Sequence, residues 1–310
     1  MSALGPNGLG ADQVLFVLNP TAGGGRGARL KKQLKEKLQR LGPMTPERWI
    51  EETDADKASE RLRQALQNED IQRVVAVGGD GTVHGVAHCL LDTKAAERVA
   101  LGVVPAGTGS DFARCLGLSR KPKIALKRAL TVEPRPVDAI AVQTDSGKKT
   151  FCLNIASAGL SGAVDEAVNA QTIHASYLWT TLKAVLAYRP VSCRVSVDGK
   201  PLVDGPFFVV AMANGKFFGK GMKVAPDAEV DDGWLDVVLV PPVPKWQLPI
   251  RLPQFLAGLH IRLPEVKVIR GREVRVDPPA GFFPYDLDGE TLDSEGATFK
   301  ILPGALRFCV

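Results

Sequence analysis

The stretch "VVAVGGDGTVHGV", residues 74–86, decides how the first part of the chain is read. Four β-type apolar residues, Val74 to Val77, run into Gly78, Gly79, Asp80, Gly81 and Thr82, and a helix-like pattern follows. A short continuous apolar run bounded by glycine fits a strand buried on both faces. The loop after it is almost bare of side chains, which lets other groups approach the backbone closely, and one carboxylate, Asp80, stands at its tip. Taken alone, the loop could be a plain turn with Asp80 as a helix N-cap.

Two sister stretches lie to either side. "VLFVL" (14–18) runs into "NPTAGGGRG" (19–27), and "VALGVV" (99–104) runs into "PAGTGSD" (105–111). Helical periodicity fills the intervals: 28–41, with Leu30, Leu34, Leu38 and Leu41 on one stripe, then 55–67, 82–91, "FARCL" and 123–131. A further strand fits 47–52. Strands alternating with helices predict an α/β domain with a doubly wound, mostly parallel sheet. In that architecture the three glycine loops open at the carboxyl ends of the strands, where ligands bind. Glycine loops aim N–H groups at phosphate oxygens, and a following helix adds its positive end. Neither a Gly-Lys-Ser/Thr P-loop nor a G-x-G-x-x-G with a ribose-binding acid is present.

"EPRPVD" (133–138) breaks the alternation. Beyond it, strands are expected at 137–142, 150–156, 192–197, 206–213, 233–240, 265–269, 272–276 and 297–302, with one helix inside 163–188. This second part reads as a mainly antiparallel β domain, a sandwich or barrel. At 310 residues the chain exceeds what one core usually serves. The predicted division is 1–133 with a returning strand at about 303–310, and 134–302.

The net charge of +5 lies wholly in the first part: residues 1–133 hold 20 Lys+Arg against 15 Asp+Glu, and the remainder holds 19 of each. That suits an anionic ligand or surface and is too small to argue for nucleic acid. Five scattered cysteines without a C-x-x-C predict reduced thiols and a cytoplasmic setting. "MSALGPNGLGADQ" has neither the basic start nor the apolar run of a signal peptide, and no apolar run is long enough to span a bilayer.

"NPTAGGGRG", "GGDGTVHGV" and "PAGTGSDFAR" together resemble the catalytic domain of the diacylglycerol kinase family, nearest to its soluble bacterial lipid kinases and further from sphingosine and ceramide kinases. "FCLNIASAGLSGAV" (151–164), "DDGWLDVVLV" (231–240) and "DLDGE" (286–290) fall in that family's order. The resemblance implies an ATP-binding first domain, a β-rich lipid-substrate domain and an active site between them. It implies that Asn19, Pro20, Gly23, Gly78, Gly79, Asp80, Gly81, Thr82, Gly107 and Thr108 line the nucleotide. Thr53 sits where the family has a nucleotide-contacting threonine, and it could equally be the N-cap of the following helix.

Phosphoryl transfer to a hydroxyl needs in-line placement, a divalent ion and a base for the hydroxyl proton. Asp80 supplies one acid, and "DLDGE" places three within five residues. Asp288-Gly289 is also hairpin-turn chemistry, as is "VDGK" at 197–200. The resemblance assigns catalysis to Asp288 and Glu290 jointly. It implies that Asp232 binds a structural Mg²⁺ with the carbonyls of Glu229 and Trp234, the alternative being an ordinary turn. Asp138 matches a further family acid, held to Asp80 and Asp232 through waters.

Two positions depart from the family: His84-Gly85 stands for Asn-Glu, and Ser110-Asp111 for Asn-Asp. His84 and His88 are spaced i, i+4, but structural zinc wants four ligands and no third is near in sequence. "KWQLPIRLPQFLAGLHIR" (245–262) could dock on a membrane or pack on the β domain, and Arg26–Arg40 reads as a solvated basic face. The expected activity is an ATP- and Mg²⁺-dependent kinase for a lipid such as diacylglycerol, transiently peripheral to the membrane, with room for a homodimer. The alternatives are a kinase for a soluble acceptor, such as NAD or a sugar phosphate, and an inactive nucleotide sensor.

Overall fold

The computed structural model describes residues 9–38, 48–159, 190–278 and 283–310. The chain divides into two compact units, one of residues up to Asp138 with Pro303–Val310, the other of Ala139–Leu302.

In the first unit, strands and helices alternate: β1 (Val14–Leu18), α1 (Ala22–Leu38), β2 (Trp49–Glu51), α2 (Ala55–Ala65), β3 (Arg73–Gly78), α3 (Asp80–Asp92), β4 (Ala100–Pro105), α4 (Asp111–Cys115) and α5 (Pro122–Thr131). The strands run β2-β1-β3-β4, all parallel, and Phe308 joins in parallel beside Leu101. β1, β3 and β4 are buried throughout, as their unbroken apolar runs require when helices cover both faces. One face packs Val14, Phe16, Val75 and Val77 against Leu30 and Leu34 of α1 and Ala125, Ala129 and Leu130 of α5. α2 buries Leu62 and starts on Asp54, whose carboxylate accepts the Asp56 and Lys57 amides at 3.0 and 3.1 Å. The N-cap is therefore Asp54, and exposed Thr53 precedes it.

The second unit begins within β5 (Arg135–Thr144). It continues with β6 (Lys149–Cys152), β7 (Ile155–Gly159), β8 (Val191–Val197), β9 (Lys200–Phe207), β10 (Val209–Ala213), β11 (Phe217–Phe218), β12 (Met222–Lys223), β13 (Leu235–Val240), α6 (Leu248–Ala257), β14 (Lys267–Gly271), β15 (Glu273–Asp277), β16 (Phe283–Leu287), β17 (Glu290–Ser294) and β18 (Ala297–Phe308). One sheet has the order β14-β13-β10-β7-β16-β17, antiparallel throughout. Against it pack antiparallel β9-β8-β15-β18 and the β5-β6 pair, making a sandwich with Met212, Val237, Val276, Tyr285 and Phe299 in its core. The outer face of the first sheet carries a second cluster, with Ala211, Ala213, Val238 and Val240 under Phe255, Val224 and Val266. β10 and β13 are thus covered on both faces, which explains "FFVVAMA" and "LDVVLV" without polar alternation.

Four expectations shift at this level. The single strand expected at 150–156 is two, broken at Leu153-Asn154. The strand at 206–213 divides at Phe208 into β9 and β10. The strands expected at 297–302 and at about 303–310 are one strand, β18. β16 and β17 flank the Asp288-Gly289 turn, where no strand positions were expected. The helix expected within 163–188 and the end of the first helix, 39–41, lie outside the described residues.

Candidate active site

The first unit brings the three glycine loops together. After β1, the Asn19 side chain accepts the Thr21 amide at 3.0 Å and the Thr21 hydroxyl at 2.8 Å, and the Asn19 amide donates to the Val77 carbonyl of β3 at 3.2 Å. Gly23, Gly24 and Gly25 follow with φ of 60°, 67° and 84°, a left-handed run that side chains rarely adopt. A Cβ on Gly23 would overlap the Ala106 carbonyl of the third loop. The second and third loops are closer still. Ala106 and Gly107 both donate backbone N–H to the Gly78 carbonyl, at 2.7 and 3.2 Å, and a Cβ on Gly107 would lie 2.5 Å from the Gly79 Cα. The glycines admit neighbouring backbone and leave room around the loop N–H groups.

Gly78 ends β3 and Gly79 caps α3, so Asp80, Gly81 and Thr82 form the first helical turn. Exposed backbone N–H groups and the helix dipole there favour an anion. Asp80 is half-buried, and its Oδ1 accepts the Phe112 amide at 3.1 Å, so this acid also holds the start of α4. Thr108 is exposed, while Gly107 is buried. Arg120, which sequence reasoning missed, donates to the carbonyls of Gly107 and Thr108 at 3.3 and 3.2 Å, buttressing the third loop. Ser110 adopts φ 53°, a left-handed position that asparagine tolerates better than serine. Asp138 accepts the Gly304 amide at 2.7 Å and is buried. Thr53 stands exposed ahead of α2, its amide donating to the Glu52 carboxylate at 3.3 Å.

In the second unit, Asp288 and Gly289 form the β16–β17 hairpin turn, with φ of 56° and 96°. Asp198 and Gly199 do the same between β8 and β9, at 50° and 73°. Each aspartate turns its carboxylate onto backbone amides of another segment. Asp198 accepts the Arg272 and Glu273 amides, both at 2.9 Å. Asp288 accepts three, from Leu153 at 2.6 Å, Asn154 at 2.9 Å and Ile155 at 3.1 Å. That clasp occupies the break between β6 and β7, where ladder bonding lapses. Asn154 and Asn214 complete it, donating side-chain N–H to the carbonyls of Phe217 and Leu153, each at 2.7 Å. Buried Asp286 accepts the Gly289 amide at 2.7 Å. Glu290 stands exposed at the head of β17. Burial, reinforced by the Asp288 charge, pushes the Cys152 thiol well above its ordinary range, so it is no nucleophile.

Asp232 meets a cation of the chain's own. Its Oδ1 accepts the Trp234 amide at 3.0 Å, and its Oδ2 bonds the Arg270 guanidinium. Arg270 also lies 3.9 Å from Asp236, and the Trp234 ring packs near the guanidiniums of Arg270 and Arg272, at 5.6 and 4.7 Å. Burial raises the Asp236 pKa and Arg270 offsets it, while Asp232, Asp227 and exposed Glu229 add to the rise. Among the described residues, no three His, Cys, Asp or Glu side chains converge to hold a metal ion. Arg270 thus bonds the Asp232 carboxylate that the resemblance assigns to a structural Mg²⁺. His84 and His88 stand with ring centroids 6.1 Å apart, and burial followed by the His84 charge lowers the His88 pKa. None of the five cysteines is joined in a disulfide among the described residues. Among the described residues no helix is long and apolar enough to cross a membrane.

Comparison with known proteins places this arrangement. The diacylglycerol kinase catalytic domain matches residues 13–142, and the YegS C-terminal NAD kinase beta sandwich-like domain matches residues 154–310. A protein of Chromohalobacter salexigens named "Probable lipid kinase YegS-like" is 32% identical over 256 residues, 79% of this chain and 78% of that one. A protein of Mycobacterium tuberculosis named "Diacylglycerol kinase" is 27% identical over 299 residues, 95% and 94% of the two chains. A crystal structure of a diacylglycerol kinase from Bacillus anthracis str. Sterne superposes with a TM-score of 0.70 at 20% identity, covering 96% of each chain. That last likeness is one of fold. Two domain matches in series, and a relative above 30% identity over most of the chain, carry the assignment: the chain is a kinase belonging to the diacylglycerol kinase catalytic-domain family, with a YegS-type C-terminal domain.

Proposed function

We propose that this protein transfers the γ-phosphoryl group of ATP to a hydroxyl of a membrane lipid, of which diacylglycerol is the leading candidate. The observation that carries the reading is the mutual approach of the glycine loops at the strand ends, Gly23 against Ala106 and Gly79 against Gly107. It leaves backbone little covered by side chains beside the α3 N-terminus, suited to a polyphosphate. The names of the relatives direct the acceptor towards lipids.

In this reading Asn19, Pro20, Gly23, Gly78–Thr82, Gly107 and Thr108 hold the nucleotide, with Thr53 at its margin. Mg²⁺ bound together with ATP would neutralise phosphate charge, with Asp80 the loop acid placed to help hold it. The lipid hydroxyl oxygen bonds the γ-phosphorus as the bond to the bridging oxygen of ADP breaks. Glu290 takes the hydroxyl proton. Asp288 keeps the turn in place, because its lone pairs are committed to three backbone amides. Asp80 positions the third loop through Phe112. Domain limits follow the same reading: a nucleotide domain of 1–133 with the chain end, and a lipid domain of 134–302.

The test is purified protein with labelled ATP, Mg²⁺ and a panel of diacylglycerol, monoacylglycerol, phosphatidylglycerol, sphingosine and ceramide. The expected result is label in one lipid. Label confined to a water-soluble acceptor, or to none, overturns the reading.

A further inference from the structure

The outward face of α6 is apolar, the reverse of what a helix on a protein surface in water presents. Trp246 is 73% exposed, Ile250 62% and Leu256 41%, and Leu259 just past the helix is 47% exposed. Pro253 and Ala257 are exposed on the same side. The polar residues of the segment turn the other way. Gln247, Arg251 and Gln254 are half-buried, and Arg251 is tied to Glu265 at 2.6 Å. Phe255 anchors the inner side by stacking on buried His260 at 3.9 Å, and the His260 Nε2–H donates to the Val224 carbonyl at 3.0 Å. Among the described residues six large apolar side chains are exposed, and five of them fall between Trp246 and Val268.

The same segment is basic. Residues 241–270 hold five Lys+Arg (Lys245, Arg251, Arg262, Lys267, Arg270) against Glu265 alone, a net +4. Exposed Lys223 adjoins the helix end, its Cβ 2.9 Å from where a Cβ of Gly258 would stand. Arg262 and Lys267 are exposed beside the apolar stripe. A second copy of the chain meeting this face would set like charges together, whereas an anionic bilayer is complementary on both counts: acyl chains for the apolar stripe, headgroups for the lysines and arginines. Tryptophan at the rim suits the interfacial layer.

We infer that α6 with its flanking turns, led by Trp246, Ile250, Leu256 and Leu259, is an interfacial docking element for anionic lipid surfaces. This deepens the lipid-kinase reading and rests on it for its purpose, though not for its physics.

The test is co-sedimentation of the full chain with phosphatidylcholine vesicles, with and without phosphatidylglycerol. The protein is expected to partition onto the mixed vesicles, less so as salt rises. Trp246→Gln with Ile250→Gln is expected to weaken partitioning about tenfold or more, and Lys223→Gln with Lys267→Gln to remove the preference for phosphatidylglycerol. Turnover of a dispersed short-chain diacylglycerol should stay at the wild-type value in both, with unchanged circular dichroism. Vesicle binding that depends on Trp246 in a protein that phosphorylates no lipid upholds the docking element and sinks only the substrate reading. Three results overturn the docking element: wild-type protein left in the supernatant, equal binding by the Trp246/Ile250 variant, or a change of mass in sedimentation velocity for that variant with vesicle binding intact.

Discussion

The carboxylate of Asp288 receives the backbone amide of Asn154 at 2.9 Å, across 134 residues of chain. With the amides of Leu153 and Ile155 it closes the gap between β6 and β7, so the acid of the "DLDGE" turn is first of all a clasp for another strand's backbone.

Asp288 and Glu290 should therefore separate on mutation. Asp288→Asn weakens three hydrogen bonds to a charged acceptor and is expected to cost about 1–3 kcal/mol of unfolding free energy. Glu290→Gln alters an exposed side chain and should leave stability within about 0.5 kcal/mol, yet lower turnover by about 10²-fold or more with ATP binding intact. Urea unfolding beside a kinase assay reads both, and an active Glu290→Gln protein removes that residue from proton transfer.

The glycines of the loops differ in what a methyl group would meet. Gly107→Ala forces a contact of 2.5 Å on the Gly79 backbone, which cannot yield, and is expected to destabilise the first unit and weaken ATP binding together. Gly85 has open space at its Cβ and lies inside α3, so Gly85→Ala should raise stability by about 1 kcal/mol. Thermal melting with and without ATP checks the pair.

Arg270 is the resident cation at Asp232. Wild-type melting without nucleotide should be insensitive to added Mg²⁺. In Arg270→Gln, Asp232 and Asp236 lose that charge, and Mg²⁺ should then raise the melting temperature. Stabilisation of the wild-type protein by Mg²⁺ alone would show a divalent ion displacing the guanidinium.

His260 makes stability depend on pH. Burial lowers its pKa below the ordinary 6.5, so the unfolded chain binds the proton more readily than the folded one. Its contribution is whole above pH 6.5 and is lost as pH falls through the lower folded value. His88 acts with the same sign. Denaturant midpoints should fall from pH 7 towards pH 5, more shallowly in His260→Gln, whose side-chain amide can still donate to Val224.

Much of this was legible beforehand. The parallel strands announced themselves through runs such as Val74–Val77, because a strand covered on both faces must be apolar at every position. The loops after them were legible because only glycine suits left-handed turns like Gly23–Gly25 and backbone approaches like Gly79 to Gly107. Arg120, Asn214 and Arg270 were not, since their partners stand 12, 61 and 38 residues away and the pairings leave no local periodicity.

The sequence by itself determined the alternation of strands and helices, the position of every glycine loop and the hairpin chemistry of both Asp-Gly pairs, because these depend on local sterics and spacing. Only the tertiary structure decided that Asp288 clasps residues 153–155, that Arg270 neutralises Asp232, and that α6 turns its apolar side to solvent. Periodicity says that a helix has two faces; which one is buried depends on what stands opposite, and that partner is chosen by the fold.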